Sequence, residues 1–461
     1  MDHRKKQILI ALLLCLGARL VFFGFFHPWT PDKEESVVLH KDALGYHRLA
    51  LTISQHHRFA YGPDEEPNIV RTPLYPMFIA GIYALSGARP WVVLLVQILL
   101  DTLACFLVFA SLRRLYDEKI AVVAAFFYAL DPFLILYPCT LLSDMLFLFL
   151  LVVAFHWFSL AYKTEPGKRM WVFYGLSGFS IGLATLVRPI SQYIPFVFAV
   201  FLFIAYRKRF KAALKSACAV GVMFLLAISP WLVRNYVLFD RVFISASGSY
   251  NLLLEYVMPM EAQKRNQDFK SVQLSLLEEA EKNMIADGLR PEELDGFAKG
   301  VYYRDLAVRY LKGNPGRFLR TYALGVLHTF THLDTSTFTS KLGIEMKALD
   351  IKAQPNILRL VKDFVKEKGV PGLIIAGLIL PYLVVCYLGL IAGLGVSWKY
   401  YDKGALAWCL IMAAYVVAVT GVAGTARFKI PAIPFYLAFT GIGWTWLWRL
   451  FKAGRKTSDA V

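Results

Sequence analysis

Ten runs of apolar residues, separated by polar connections, set the pattern of this chain. They lie at 7–26, 91–112, 119–138, 141–162, 171–188, 190–206, 212–233, 370–396, 404–424 and 431–450. Ile8 to Phe26, Trp91 to Leu112 and Leu146 to Ala161 carry at most one charge each, and about 20 mostly apolar residues cross a bilayer as a helix. Only helices and closed barrels satisfy backbone groups in lipid, and the ten-residue alternation of a membrane barrel is absent here. The pattern predicts an all-α polytopic membrane protein with about ten transmembrane helices. A further apolar segment, Thr72 to Ser86, is short and has Pro73 and Pro76 in its first turns. Whether it crosses sets the orientation of everything after it.

Two long polar segments interrupt the apolar runs. The first loop, 27–90, contains a stretch from Asp42 to His57 with helical spacing, placing Tyr46, Leu49, Ala50 and Ile53 on one face. The second runs from Phe239 to about Gly369. It holds helical stretches at Ser271 to Asp287 and Pro291 to Lys312, an interfacial helix from about Arg317 to Phe330, and an amphipathic helix through Ile357, Leu360, Val361, Phe364 and Val365. These are expected to lie along the membrane and cover a cavity rather than form an independent enzyme domain. The chain then divides into an N-terminal transmembrane module at 1–238 that includes the 27–90 loop, a loop segment at 239–369, and C-terminal transmembrane helices at 370–461. No internal repeat of the transporter kind is visible.

Charge orients the spans. The net charge of +17 over 461 residues would suggest nucleic acid for a soluble protein. In a membrane protein it reflects Lys and Arg in cytoplasmic loops, so no nucleic-acid partner is expected. If Thr72–Ser86 does not cross, Arg113-Arg114, Lys163 with Lys168-Arg169, Arg207-Lys208-Arg209 with Lys211, Lys399, Lys403, Lys452, Arg455 and Lys456 all face the cytoplasm. If it crosses, the clusters at 113–114, 163–169 and 207–211 fall outside. We therefore expect both termini inside, Thr72–Ser86 as a juxtamembrane or re-entrant helix, and residence in the cytoplasmic (inner) membrane with the two long segments on the periplasmic or extracellular face. The six cysteines lie in or at the ends of apolar runs without CxxC spacing, which indicates neither a disulfide framework nor a zinc site. The N-terminal basic-then-apolar stretch lacks a small-x-small cleavage site and reads as an uncleaved first span.

Against that orientation, Arg71, Arg188, Arg234, Arg427 and Lys429 are cations at outer span ends, where few are expected. Each alone reads as a side chain snorkelling to headgroup level; together they suit a shared site for an anionic headgroup. Arg binds phosphate bidentately and Lys binds it as a point charge. Asp42 opens the first-loop helical stretch. It suits either an N-cap or a base that accepts a proton from an attacking hydroxyl; the roles are compatible, since a helix N-terminus stabilises a carboxylate. Asp144, in Leu142-Ser143-Asp144, reads equally as a cap or as a group that orients substrate. Asp101 and Asp131 sit inside apolar runs, where charge is expensive and usually paired; they are structural or belong to a proton or ion path. Gly-rich phosphate loops, HExxH and DxD motifs are absent, so no cofactor is indicated, and a divalent metal is left open but not called for.

The ordered set Asp42 with Tyr46 and Ala50, Arg71-Thr72-Pro73-Leu74-Tyr75-Pro76, Leu142-Ser143-Asp144, Gly182-Leu183-Ala184 with Arg188-Pro189, Pro230-Trp231 with Arg234-Asn235, and Arg427-Phe428-Lys429 with Pro431 and Pro434 resembles the GT-C class of integral-membrane glycosyltransferases. It is most similar to bacterial relatives of the protein O-mannosyltransferases and lipid A aminoarabinose transferases. The resemblance implies a polyprenyl-phosphate-linked sugar donor, an inverting transfer on the outer face, and a lipid, glycan or protein acceptor in the cell envelope. It also implies Asp42 as catalytic base, with Tyr46, Arg71, Tyr75, Asp144, Arg188, Arg234, Asn235, Arg427 and Lys429 as substrate-binding groups. Asp42 has no acidic neighbour, a departure from the Asp-Glu pair of the eukaryotic protein mannosyltransferases. Family members often carry a soluble C-terminal domain, so acceptor recognition here is expected from the 239–369 segment. Two rivals stand beside this reading. One is a transporter or flippase for an anionic lipid-linked substrate, using Asp101 and Asp131. The other is an envelope-assembly scaffold.

Overall fold

The computed structural model describes residues 3–39, 42–344, 357–421 and 424–458. His40 and Lys41, which precede Asp42, lie outside the described residues, as do the side chains of the amphipathic stretch at 357–365. Every regular element among the described residues is helical, and the molecule is a multi-pass membrane protein. Eight helices are long and apolar enough to cross: Lys6–Phe26, Pro90–Leu115, Asp144–Tyr162, Lys168–Val187, Phe210–Phe239, Gly369–Tyr400, Lys403–Thr420 and Ala426–Lys452. Two further helices, Glu118–Leu130 and Pro132–Cys139, are bent by 55° and make a ninth span if the pair crosses as one. The remaining apolar run, at 190–206, is a 3-10 turn, Pro189–Tyr193, followed by the 12-residue helix Ile194–Ala205. Together the turn and helix make a 17-residue apolar element, Pro189–Ala205, about 28 Å long; it runs back along Lys168–Val187, so that Tyr206 Oη meets Tyr174 Oη at 3.0 Å. Leu74–Ser86 is likewise a short apolar helix of 13 residues.

Lipid tails are as apolar as leucine, so these helices associate through close packing and buried polar bonds rather than by escaping water. Both devices are present. Gly389 and Gly393 of one helix meet Gly443 of another so closely that a Cβ at Gly393 would overlap the Phe439 carbonyl, and one at Gly443 would overlap the Gly389 carbonyl. The polar device sits at the 55° bend. Pro132 has no N–H to offer Tyr128, four residues back. Arg19, fully buried on the first helix, donates to the carbonyls of Tyr128 (3.3 Å), Ala129 (2.8 Å) and Cys15 (3.0 Å). Its charge is met by buried Asp101, to which Arg19 Nε donates, and Tyr128 Oη donates to the same carboxylate at 2.7 Å. Asp131 caps the outer half of the bend, accepting from the amides of Phe133 (2.9 Å) and Leu134 (3.1 Å) and from Tyr382 Oη (3.0 Å). Both membrane-embedded carboxylates are thus bound to the break that aims residues 137–144.

The segment after Phe239 forms helices Met258–Arg265, Phe269–Ala286, Gly296–Gly313, Pro315–Thr331 and Thr335–Lys341. Leu253, Val257, Met260, Val272, Leu276, Ala280, Met284 and Leu306 give it a small core of its own. It is tied to the first loop by Ala246 N–H to the Ile69 carbonyl (2.8 Å) and Ser245 Oγ to the Val70 carbonyl (2.6 Å). Tyr256 and Tyr322 reach carbonyls at the end of the Lys403–Thr420 helix. Leu319, Leu324 and Leu327 leave an exposed apolar stripe on Pro315–Thr331, as an interfacial helix requires.

Candidate active site

Five separate chain segments deliver one charged cluster at the end of the bundle that faces the long polar segments. Asp42 is the first residue of the helix Asp42–His56. Arg71 follows an Asn68 turn whose side-chain oxygen accepts from the amides of Val70 (3.0 Å) and Arg71 (2.7 Å). Thr72 Oγ1 then donates to the Val187 carbonyl (2.7 Å), pinning the loop to the end of Lys168–Val187. That helix ends because Arg188 precedes Pro189, and the residue before a proline avoids helical backbone angles; Arg188 is extended, at φ −145°, ψ 123°. Asp144 opens its own helix, and Ser143 before it makes no side-chain cap bond. Arg427 comes from the 3-10 turn Ala426–Ala432.

The ion pairs link all five. Arg71 Nη2 donates to Asp42 Oδ1 at 2.7 Å. Arg427 Nε donates to Asp144 Oδ2 at 2.8 Å, and its Nη1 lies 3.7 Å from Asp42 Oδ2. Arg188 Nη1 donates to the other oxygen of Asp144. Three guanidinium groups therefore meet two carboxylates. The two acids differ in depth, Asp144 being fully buried and Asp42 45% exposed. Tyr46 joins the cluster from the Asp42 helix: it lies under the Arg71 guanidinium, 4.7 Å from ring centroid to Cζ, accepts from Arg71 Nη1 and donates to Ser143 Oγ, both at 3.3 Å. Arg71 Nε is buried with no hydrogen-bond partner, a donor left for something else.

The charges tune one another. Burial works to raise the Asp42 carboxyl, but Arg71 and then Arg427 hold it below the ordinary carboxylate value. Arg71 loses by burial and gains more from Tyr46 and Asp42, so it stays protonated. The site presents an ionised, solvent-reaching carboxylate beside a surplus of cationic charge. It has the parts to accept a proton at one point and to hold an anion at another.

The other expected residues lie elsewhere. Tyr75 is fully buried behind Tyr46, ring centroids 4.8 Å apart, with its hydroxyl on Gln97 Oε1 at 2.8 Å. Arg234 stacks on Trp231 (4.6 Å), Phe239 and Phe59 and donates to Asn235 Oδ1, while Asn235 Nδ2 donates to the Phe243 carbonyl at 2.8 Å. Lys429 is fully buried over the Phe133 ring at 3.8 Å, with Tyr387 Oη at 3.5 Å and Asp131 as its nearby acid. Two supporting residues escaped the sequence reading. Gln97 Nε2 donates to the carbonyls of Pro138 (3.0 Å) and Thr140 (2.8 Å), joining Tyr75 to the turn that carries Asp144. Asp334 accepts from Tyr137 Oη at 2.5 Å and docks the second polar segment on that turn. Among the described residues no His, Cys, Asp and Glu side chains group as a metal site.

Residues 70–233 match the family described as dolichyl-phosphate-mannose-protein mannosyltransferase. The fold aligns with archaeal oligosaccharyltransferase AglB from Archaeoglobus fulgidus, in complex with an inhibitory peptide and a dolichol-phosphate, at 16% identity and TM-score 0.55. That alignment covers 100% of this chain and 52% of AglB. The chain shares the fold of these membrane glycosyltransferase structures, and its similarity to the mannosyltransferase family model is confined to residues 70–233. The apo form of the same oligosaccharyltransferase gives TM-score 0.56 at 16% identity over 99% of this chain and 52% of its own. ArnT from Cupriavidus metallidurans bound to undecaprenyl phosphate aligns at 14% identity and TM-score 0.42 over 94% of this chain and 76% of its own. No curated protein matches the sequence. The chain spans about half the length of the oligosaccharyltransferase structures it matches.

Proposed function

We propose that this chain is a membrane glycosyltransferase that moves a sugar from a polyprenyl-phosphate donor to an acceptor in the cell envelope, with inversion at the sugar C1. The observation that carries the reading is the joining of Asp42, Arg71, Asp144, Arg188 and Arg427 into one cluster with more cations than acids. The acceptor hydroxyl oxygen attacks C1 and its proton passes to the Asp42 carboxylate. The C1–O bond to phosphate breaks, and its electron pair leaves on the polyprenyl phosphate. Charge develops on that leaving oxygen, so pre-aimed guanidinium groups lower the barrier more than they stabilise the bound donor. Arg71, with its unpartnered Nε, and Arg427 are the phosphate contacts this reading favours; Arg188 backs them through Asp144.

Three further points support it. The matched family is described by a dolichyl-phosphate-mannose donor, and the AglB structure holds a dolichol-phosphate. The clusters at 113–114, 163–169 and 207–211 sit at the bundle end opposite the site, which supports an outer-face site by the positive-inside rule. Asp101 and Asp131, the carboxylates a transporter would use, are engaged at the helix break. The test is mass spectrometry of the lipids that co-purify with the protein. A sugar-bearing polyprenyl phosphate, lost when Arg71 and Arg427 are both changed to Gln, is the expected result; a lipid complement indistinguishable from bulk membrane in both proteins contradicts the reading.

A further inference from the structure

Arg427 serves two carboxylates unequally. Its Nε bond to Asp144 is short, at 2.8 Å, and that acid is fully buried, whereas its Nη1 stands 3.7 Å from the half-exposed Asp42. The second contact is beyond hydrogen-bond distance and open to water, so it is held by Coulomb attraction alone. A guanidinium anchored on one side by a buried acid, with a loosely held arm on the other, is built to exchange that arm. The anionic phosphodiester of a donor entering beside Arg71 offers Nη1 a charge-assisted bond stronger than the 3.7 Å contact it replaces.

We propose that donor binding transfers the outer arm of Arg427 from Asp42 to the lipid phosphate, and that this exchange turns Asp42 from a stabilised anion into a competent base. The inference rests on the glycosyltransferase reading and adds its control: the base is weak until the leaving group is in place. The groups facing Asp42 are Arg71 from the loop ahead of Leu74–Ser86 and Arg427 from the 426–432 turn; Tyr46 and Tyr61 act on it through Arg71, and Asp144 and Arg188 stand behind Arg427. With Arg427 withdrawn, only Arg71 opposes burial, and the proton affinity of Asp42 rises. Removing one opposite charge at this range is worth about one pH unit. Asp144 becomes a positioning residue whose work is to anchor Arg427 during the exchange.

The experiment is an infrared titration of Asp42 in nanodiscs, isolated as wild type minus Asp42→Asn, without and with saturating farnesyl phosphate. In the wild type the midpoint is expected to rise by about one pH unit when farnesyl phosphate binds. In Arg427→Gln it is expected to start higher and to move by less than half as much. Arg427→Lys, which keeps a charge for Asp144 but lacks the fork to reach both acids, is the second variant and should show the same reduced response. A wild-type midpoint that stays or falls overturns the exchange. So does a full shift in both variants, which assigns the effect to the charge of the phosphate itself. Farnesyl phosphate that binds without moving the midpoint removes this inference and leaves the glycosyltransferase reading in place. Failure of farnesyl phosphate to bind, together with undiminished sugar transfer by Asp42→Asn, removes both.

Discussion

Asp42→Asn and Asp144→Asn are the same chemical change at two depths of one cluster, and the structure predicts opposite profiles. Asp144 is fully buried and both of its oxygens hold a guanidinium. Neutralising it leaves two partly buried cations facing each other across one amide, and removing one partner of a buried pair costs about 3–5 kcal/mol; the remaining amide oxygen places the expected loss near the lower end, about 3 kcal/mol. Asp42 is 45% exposed and its partner Arg71 26% exposed, so solvent screens the pair and its removal costs at most about 1 kcal/mol. Function inverts the order of mechanism. Asp42→Asn removes the proton acceptor while keeping the fold, and general-base removal lowers kcat by about 10²–10⁴-fold. Asp144→Asn loosens Arg188 and Arg427, so donor phosphate affinity should fall, by roughly the 1.5–3 kcal/mol of a charge-assisted bond. The assay pairs thermal unfolding in micelles with farnesyl phosphate binding. Asp144→Asn should lower both the unfolding midpoint and affinity. Asp42→Asn should leave the midpoint nearly unchanged and retain binding. Equal destabilisation by the two variants, or unimpaired phosphate binding by Asp144→Asn, refutes the cluster as drawn.

The remaining expectations concern the supports and the pH profile. Asp101→Asn strands buried Arg19 at the helix break and should cost about 3 kcal/mol, while counterflow of labelled substrate across proteoliposomes stays at background; carrier activity that depends on Asp101 would instead favour the transporter reading. Gln97→Leu removes the link between Tyr75 and the Pro138–Thr140 turn, leaving buried groups unpaired at about 1–3 kcal/mol each. Its thermal midpoint should fall, and the loss of transfer should appear in KM through misplaced Asp144. Because Asp42 is held below the ordinary carboxylate value by Arg71 and Arg427, activity that needs the ionised form should persist as pH falls past that value. Arg71→Gln should move the acid limb of kcat/KM upward by about one pH unit or more. The stability that the Asp42–Arg71 pair contributes is present above the ordinary value and lost as pH falls through the depressed one; an acid limb that does not move in Arg71→Gln breaks the argument.

Most of the architecture was legible because lipid imposes a simple rule on length and polarity. Nine of the apolar runs became crossings or the bent pair, with ends within a few residues. The run at 190–206 appears as the turn Pro189–Tyr193 and the helix Ile194–Ala205, a 3-10 start that hydropathy does not register. Inside the second polar segment the expected helices appear at Phe269–Ala286, Gly296–Gly313 and Pro315–Thr331, but its separate core was invisible, since its contributors are scattered from Leu253 to Ala307. At the site, oddly placed outer cations singled out Arg71, Arg188 and Arg427. The same signal also selected Arg234 and Lys429, which answer local needs: aromatic stacking for one, a buried acid for the other. Exposure and partner choice separate these cases, and neither is a property of sequence position. Asp144 was seen as an acid without its depth, which is what makes it an anchor. Arg19 and Gln97 were missed because a lone polar residue in an apolar run shows its purpose only when the broken helix beside it is in view; the Asp131-Pro132 step was the available clue.

The central claim is that Asp42 is the base of a sugar transfer from a lipid phosphate. It is tested most directly by reconstituting wild type and Asp42→Asn with native membrane lipid extract as donor source and measuring release of free polyprenyl phosphate with transfer of sugar. The account predicts sugar transfer and release by the wild type, a fall of about 10²–10⁴-fold in Asp42→Asn, and retained farnesyl phosphate binding in the variant. Undiminished transfer by Asp42→Asn would contradict it.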